Sequence, residues 1–313
     1  MSRALAFAGA VVCAAGCSAG GTGAGTGTRE VAQAAPMPSP DADGMVAIPA
    51  GELVMGRDLS PRLDERPAHR VRLSAFRMDA TLVTVAEFRA WVEATGALTS
   101  ADRLGWGMVA VAGMKAYEWS RTPGASWRRP FGPNHPEIVQ GDDHPVTGVA
   151  WVDADAWCRA HGKRLPTEAQ WEYAMRAGSA ARYPWGDSPI GEDGTYRVNF
   201  WQGRDHLDPD DRDGWVYTSP VRAFPPNAWG LYDPVGNVWQ FTADWYGADT
   251  FAQTPDGALD PTGPAEGWAR VARGGSWWCS DTTCSAYGLF ERGKQNPLAP
   301  YPNNGFRCVK PAS

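Results

Sequence analysis

The chain has 313 residues, of which 43% are hydrophobic, enough for one large globular domain or two small ones. Its 29 Lys and Arg against 35 Asp and Glu give a net charge of −6, which argues against a sequence-independent nucleic-acid binder, because such proteins need clustered basic residues. The 36 Gly, 26 Pro and 16 Trp predict a loop-rich fold held by aromatic packing, without long helices or repeats.

The first residues have the pattern of an export signal. An apolar run over residues 4–16 follows Arg3 and ends in small residues before Cys17, which predicts a signal peptide over residues 1–17 and an exported, extracytoplasmic protein. The residues before Cys17 resemble a bacterial lipobox, so we expect a lipid anchor there, with ordinary cleavage as the alternative. Residues 18–44 are rich in Gly, Thr, Ala and Pro and predict a flexible tether to a domain over residues 45–313.

The first predicted elements of this domain are strands followed by a helix. Alternating apolar residues over 45–49 and 52–55 predict a β-hairpin, and residues 69–73 continue with a further strand. Thr84 with Glu87 forms a capping box, which predicts a helix that ends at Gly96.

Two more helices are predicted in the middle of the chain. One covers about 151–161 and stops at Gly162, and the next begins at Thr167, which forms a capping box with Gln170, and stops at Gly178. From there to the end the pattern indicates only short strands and long loops.

Four cysteines lie outside the predicted signal, namely Cys158, Cys279, Cys284 and Cys308, and they allow three pairings. In an exported protein two disulfides are the ordinary expectation. The close pair Cys279 and Cys284 could equally hold a metal, and two thiolates without a neighbouring His cluster suit Cu(I). The five histidines include no i, i+4 pair, so a His-built zinc or iron site is poorly supported.

Ordered motifs along residues 45–309 resemble the formylglycine-generating enzymes, also called sulfatase-modifying factors. They include Met45-Val-Ala-Ile-Pro-Ala-Gly, His144-Pro-Val-Thr-Gly, Gly162-Lys-Arg-Leu-Pro-Thr-Glu, Arg273-Gly-Gly-Ser and Asn304-Gly-Phe-Arg-Cys. The resemblance implies an α+β fold, a variant of the C-type lectin-like fold with little regular secondary structure. It also implies that Cys158 and Cys308 form a structural disulfide.

The activity that the resemblance implies is the oxidation, by O2 and copper, of a cysteine in an exported, still unfolded sulfatase to Cα-formylglycine. The cysteine lies in a Cys-x-Pro-x-Arg motif, whose Arg suits the acidic balance of this chain. Copper would be held by Cys279 and Cys284, and Ser276, Arg292 and Asn303 fall on further active-site positions.

The resemblance further implies two calcium sites. The first would use the side chains of Asn199 and Asp213 and the carbonyls of Phe200 and Trp215. The second would use the side chains of Asp233 and Gln240 and the carbonyls of Gly236 and Val238, an oxygen cage of the kind that Ca²⁺ prefers.

Departures from the family pattern keep other functions open. Ser280 and Asp281 stand where family members carry other residues, which bears on substrate recognition. A non-catalytic, calcium-stabilised surface module on the same scaffold is one alternative, and a sibling oxidoreductase acting on another exported polypeptide is a second. An iron-dependent sulfoxide synthase is disfavoured, since the chain has no His-x3-His-x-Glu motif.

Overall fold

The computed structural model describes residues 37–312, other than 116, 117, 283, 285 and 286. The predicted signal peptide, Cys17 and most of the predicted tether lie outside these residues. The last part of the tether contacts the folded body, because Asp41 and Asp43 both pair with Arg77 and Asp43 also lies 3.4 Å from Lys310. In the described part of the chain no helix is both long and apolar enough to cross a bilayer.

The helices are short, and three of them, α1, α2 and α4, begin at side-chain caps. Within the described residues they are α1 (Val85–Thr95), α2 (Ser100–Leu104), α3 (Trp151–Ala160), α4 (Glu168–Arg176) and α5 (Thr250–Gln253). Thr84 accepts the Glu87 amide and Thr167 accepts the Gln170 amide, so both predicted capping boxes form. Helix α2, which the sequence analysis missed, is capped in the same way by Thr99.

The strands are also short and lie in several small sheets. They are β1 (Met45–Ile48), β2 (Gly51–Met55), β3 (His69–Leu73), β4 (Phe76–Asp79), β5 (Trp106–Val109), β6 (Ser120–Pro123), β7 (Trp239–Trp245), β8 (Ala258–Leu259), β9 (Arg270–Arg273), β10 (Arg292–Gln295), β11 (Asn304–Gly305) and β12 (Val309–Pro311). Their orders are β1-β4-β12, β10-β9-β7-β11, β2-β3-β8 and β5-β6. Short helices mixed with short strands and long loops confirm the predicted α+β fold with little regular secondary structure.

The predicted hairpin of the first two strands is wrong. Strand β1 pairs with β4, and β2 pairs with β3, so the two strands belong to different sheets. Pro49 between them has no amide hydrogen to continue a ladder, and the chain turns from one sheet to the next. Alternation therefore predicted the strands correctly but not their partners.

Helix α4 lies at the centre of the molecule and positions the site. All nine of its residues are buried, including the ionisable Glu168, Glu172 and Arg176.

A disulfide joins Cys158 on α3 to Cys308, as predicted. It joins the helix to the chain just before β12, in a cluster of buried aromatic side chains.

Candidate active site

The predicted site begins immediately after β9, where the chain turns sharply. Gly274 and Gly275 have φ of +89° and +71°, a conformation that favours glycine. A Cβ at Gly274 would also lie 3.0 Å from the Trp171 ring of α4. This turn brings Ser276 and Cys279 from the sheet to a cleft of about 360 Å³, which Cys284 also lines.

Ser276, Cys279 and Asn303 are brought together at this cleft. The Ser276 Oγ accepts hydrogen bonds from Asn303 Nδ2 at 3.1 Å and from the Trp278 amide at 3.3 Å, and it lies 3.8 Å from the Cys279 Sγ. Because Oγ already accepts two hydrogen bonds, its own hydrogen is available to the sulfur. If Cys279 is reduced, a hydroxyl donor at this place favours its thiolate, the form of cysteine that binds metals.

Cys279 and Cys284 are joined as a disulfide in this structure, with Cα atoms 4.8 Å apart. The expectation of two free thiolates therefore does not describe this state, and the closed disulfide that the spacing left open is the form present. Cys279 is almost fully buried and Cys284 is half-buried, so the pair lies where the cleft meets the protein interior.

Arg292 lines the cleft, but its guanidinium points into the interior. It forms a two-point ion pair with Glu168, at 2.7 Å from Nε and 2.9 Å from Nη2, and Nη1 donates to the Asp64 carbonyl at 2.7 Å. Arg273 binds the same Glu168 at 2.8 Å and Glu172 at 2.6 Å. Burial opposes ionisation of Glu168, yet Arg292 and Arg273 hold its pKa below the usual range. The geometry gives Arg292 a structural role beneath the cleft.

Aromatic and basic side chains that the sequence analysis did not single out complete the cleft. Its further lining residues are Arg62, Trp119, Trp239, Trp278, Gly293, Lys294, Gln295 and Tyr301. None of these described lining residues is acidic, so the negative charge of the chain is not concentrated there. The Trp excess was a usable signal, but these side chains come from distant segments that only the fold brings together.

The first predicted calcium set has one unpartnered side-chain oxygen. Among the described residues the buried Asn199 Oδ1 has no hydrogen-bond partner, while its Nδ2 donates to the Tyr217 carbonyl at 2.8 Å. Burial raises the pKa of Asp213 to about 6, and its carboxylate accepts the amides of Phe200 and Trp215 at 3.2 and 2.9 Å. An unpartnered amide oxygen beside a half-buried carboxylate fits a hard cation, which would neutralise the charge of that carboxylate.

The second predicted calcium set does not fit a cation in this arrangement. The Gln240 Oε1 accepts hydrogen bonds from Trp171 Nε1 at 3.0 Å and from Arg307 Nε at 2.8 Å, which uses both of its lone pairs. Arg307 Nη2 also donates to the Asp233 carbonyl at 3.1 Å, so a buried guanidinium already supplies positive charge.

Gly236 and Val238, the remaining members of the second calcium set, lie in the loop just before β7. The Gly236 amide donates to the Gly274 carbonyl at 2.7 Å, and the Val238 side chain is fully buried. In the described ranges no group of three or more His, Cys, Asp or Glu side chains could hold a metal ion.

Comparison with known proteins identifies the family. The sequence model of the sulfatase-modifying factor enzyme 1-like domain matches residues 30–312. The chain is 42% identical over 289 residues to the formylglycine-generating enzyme of Thermomonospora curvata, a match that covers 87% of this chain and 95% of that relative. The chain belongs to the formylglycine-generating enzyme family. The resemblance predicted from the sequence motifs is thereby confirmed.

The family also contains relatives of other kinds. The chain is 35% identical over 287 residues to the inactive Cα-formylglycine-generating enzyme 2 of Mus musculus, with 86% of each protein covered. Among solved structures it is similar to PvdO from Pseudomonas aeruginosa, with a TM-score of 0.62 and 27% identity over 85% of this chain and 94% of that one. These likenesses confirm the predicted fold.

Proposed function

We propose that the protein converts a cysteine of an exported sulfatase into Cα-formylglycine, using O2 and an external thiol. Family membership supports an enzyme of this kind. The observation that carries the proposal is the position of Cys279 and Cys284 in one cleft, with the Ser276 hydroxyl 3.8 Å from the Cys279 sulfur. A pure binding module would need these two cysteines only as a disulfide, not as metal ligands.

The site residues fit Cu(I) once the disulfide is reduced. With their Cα atoms 4.8 Å apart, both thiolates can reach one ion, and soft sulfur ligands select Cu(I) over hard cations. When bound, copper would supply the redox chemistry that O2 requires. Ser276 would stabilise the Cys279 thiolate, and Asn303 would hold Ser276 in place.

The overall reaction balances with an external thiol as co-reductant. It is R–CH2–SH + O2 + 2 R′–SH → R–CHO + H2S + R′–S–S–R′ + H2O. The substrate carbon loses two electrons and its C–S bond, the external thiols lose two electrons, and O2 accepts all four. Trp119 and Trp278 form aromatic walls of the cleft in which the substrate cysteine would lie.

The substrate that we propose is an unfolded polypeptide with a Cys-x-Pro-x-Arg motif. The protein would meet it outside the cytoplasm, where a signal peptide and a lipid anchor at Cys17 would place it. A calcium ion at Asn199 and Asp213 would stabilise the loops beside the cleft, since the buried Asn199 Oδ1 has no hydrogen-bond partner among the described residues.

The decisive experiment combines reduced protein, Cu(I), O2, a thiol and a Cys-x-Pro-x-Arg peptide, with mass spectrometry and aldehyde trapping as the readouts. We expect aldehyde formation by the wild type, and none by Cys279→Ser or Cys284→Ser, because one sulfur cannot hold the ion in the required geometry. Thr95→Ala, at an exposed position of α1 that does not line the cleft, keeps both sulfurs and is the control.

A second candidate function is a non-catalytic binding module, favoured by the joined state of Cys279 and Cys284. In that case the disulfide resists mild reductant, the protein binds no copper and no aldehyde forms. Copper binding without turnover of this peptide would keep the metal site and transfer the activity to another exported thiol.

A further inference from the structure

Strand β10 is an edge strand that runs along the candidate active site. In the described part of the chain its only strand neighbour is β9, with Lys294 opposite Val271 and Arg292 opposite Arg273. Gly293, Lys294 and Gln295 of this strand line the same cleft as Cys279 and Cys284. An edge strand next to a cleft is a template for another extended chain.

The hydrogen bonds of β9 show which backbone groups of β10 face outward. In antiparallel pairs, opposed residues alternate between exchanging hydrogen bonds and pointing away from each other. The Val271 carbonyl accepts a hydrogen bond from Thr242 Oγ1 of β7 at 3.1 Å, so it points away from β10. The N–H and C=O of the opposite residue, Lys294, therefore point to the open edge.

Arg292 gives an independent check on this direction, because it lies two residues earlier and has the same orientation. Its carbonyl accepts Arg62 Nη2 at 2.5 Å, and its amide donates to Glu65 Oε1 at 3.4 Å, both from outside the sheet. The outward groups of Arg292 are thus covered by side chains. The outward N–H and C=O of Lys294 lie on the side of the cleft, and Lys294 is exposed.

We infer that the substrate polypeptide binds as an added β-strand on β10, with one of its residues exchanging two main-chain hydrogen bonds with Lys294. This inference rests on the proposed function, for which it specifies how the substrate is held. Main-chain pairing recognises extended polypeptide of many sequences, while pockets for alternate side chains supply specificity. It also fits an unfolded substrate, since most main-chain groups of a folded segment are already paired.

The experiment compares Lys294→Pro with Lys294→Ala in the full-length protein. Both variants lose the ammonium group, but only proline removes the N–H, and proline is tolerated on an edge strand where that N–H faces outward. We expect peptide binding about 3- to 10-fold weaker in the proline variant than in the alanine variant, the effect of one net hydrogen bond. Thermal unfolding of each variant verifies that both fold.

Two further measurements leave the protein unaltered. Hydrogen exchange of the Lys294 amide should slow when a Cys-x-Pro-x-Arg peptide binds, and peptides N-methylated at single positions should show one position near the cysteine that abolishes binding. If exchange at Lys294 is unchanged with peptide bound and every N-methylated peptide binds normally, the strand model is overturned.

The proposed function is tested separately by aldehyde formation. Aldehyde formation without protection of Lys294 would refute the strand model alone. Protection of Lys294 without any aldehyde would support the strand model and refute the proposed conversion of this peptide.

Discussion

Replacement of Arg292 by methionine tests whether this residue acts in the chemistry or in the fold. The guanidinium is buried and bonds Glu168 at two points, so Arg292→Met leaves a buried carboxylate with only Arg273 as its cationic partner. Breaking a buried ion pair from one side costs about 3 to 5 kcal/mol. At about 2 to 4 °C per kcal/mol for a domain of this size, the melting temperature should fall by roughly 6 to 20 °C.

The assay is thermal and urea unfolding of the wild type, Arg292→Met, Glu168→Gln and the double variant. Because both single changes break the same pair, the double variant should be less destabilised than the sum of the two. Arg159→Met is the matched control, since Arg159 pairs with Asp155 on the surface of α3 and its side chain is 75% exposed. If Arg292→Met melts like the wild type yet forms no aldehyde, the guanidinium acts on the substrate and the structural assignment is refuted.

Three other predictions concern stability. Chelation should lower the melting temperature, since a ligand at one hundred times its dissociation constant stabilises by about 2.7 kcal/mol, and Asp213→Ala should melt identically with calcium and with chelator. Cys308→Ser should cost about 2 to 5 kcal/mol in urea unfolding, and an unchanged midpoint would show that its bond to Cys158 is not structural. Burial, with Glu168 nearby, raises the pKa of Asp244 to about 7, so the folded protein holds this proton more tightly than the unfolded chain does. Stability should therefore fall as pH rises from about 4 to 7, a slope that Asp244→Asn should reduce.

Local features of the chain were predictable where local chemistry decides them. The helices that begin after Thr84 and Thr167 follow from capping boxes, which need only four consecutive residues. Helix α2 has the same signal at Thr99, but five residues are too few to show an apolar period. Strand partners depend instead on distant segments, which is why β1 could not be assigned to β4 from its own pattern.

The site shows the same division between local and distant information. The two-cysteine motif is visible in the sequence, and Ser276 and Asn303, which the family resemblance assigns to the same site, lie in contact in the structure. The resemblance also placed Arg292 at the site. It did not predict where the guanidinium points, because that depends on Glu168, 124 residues away. Residues that line a cleft through packing, such as Trp119, carry no motif of their own.

The pairing of β12 with β4 has a consequence for the order in which the chain can fold during its synthesis. Residues 309–311 complete a sheet whose other strands lie at 45–48 and 76–79, and Cys308 must also be present to reach Cys158. A nascent chain therefore leaves the β4 edge bare, with its backbone groups unpaired, until translation has passed residue 311. Contacts between such distant segments slow folding. During that interval the bare edge can pair with other chains, so rapid completion of the sheet limits aggregation there.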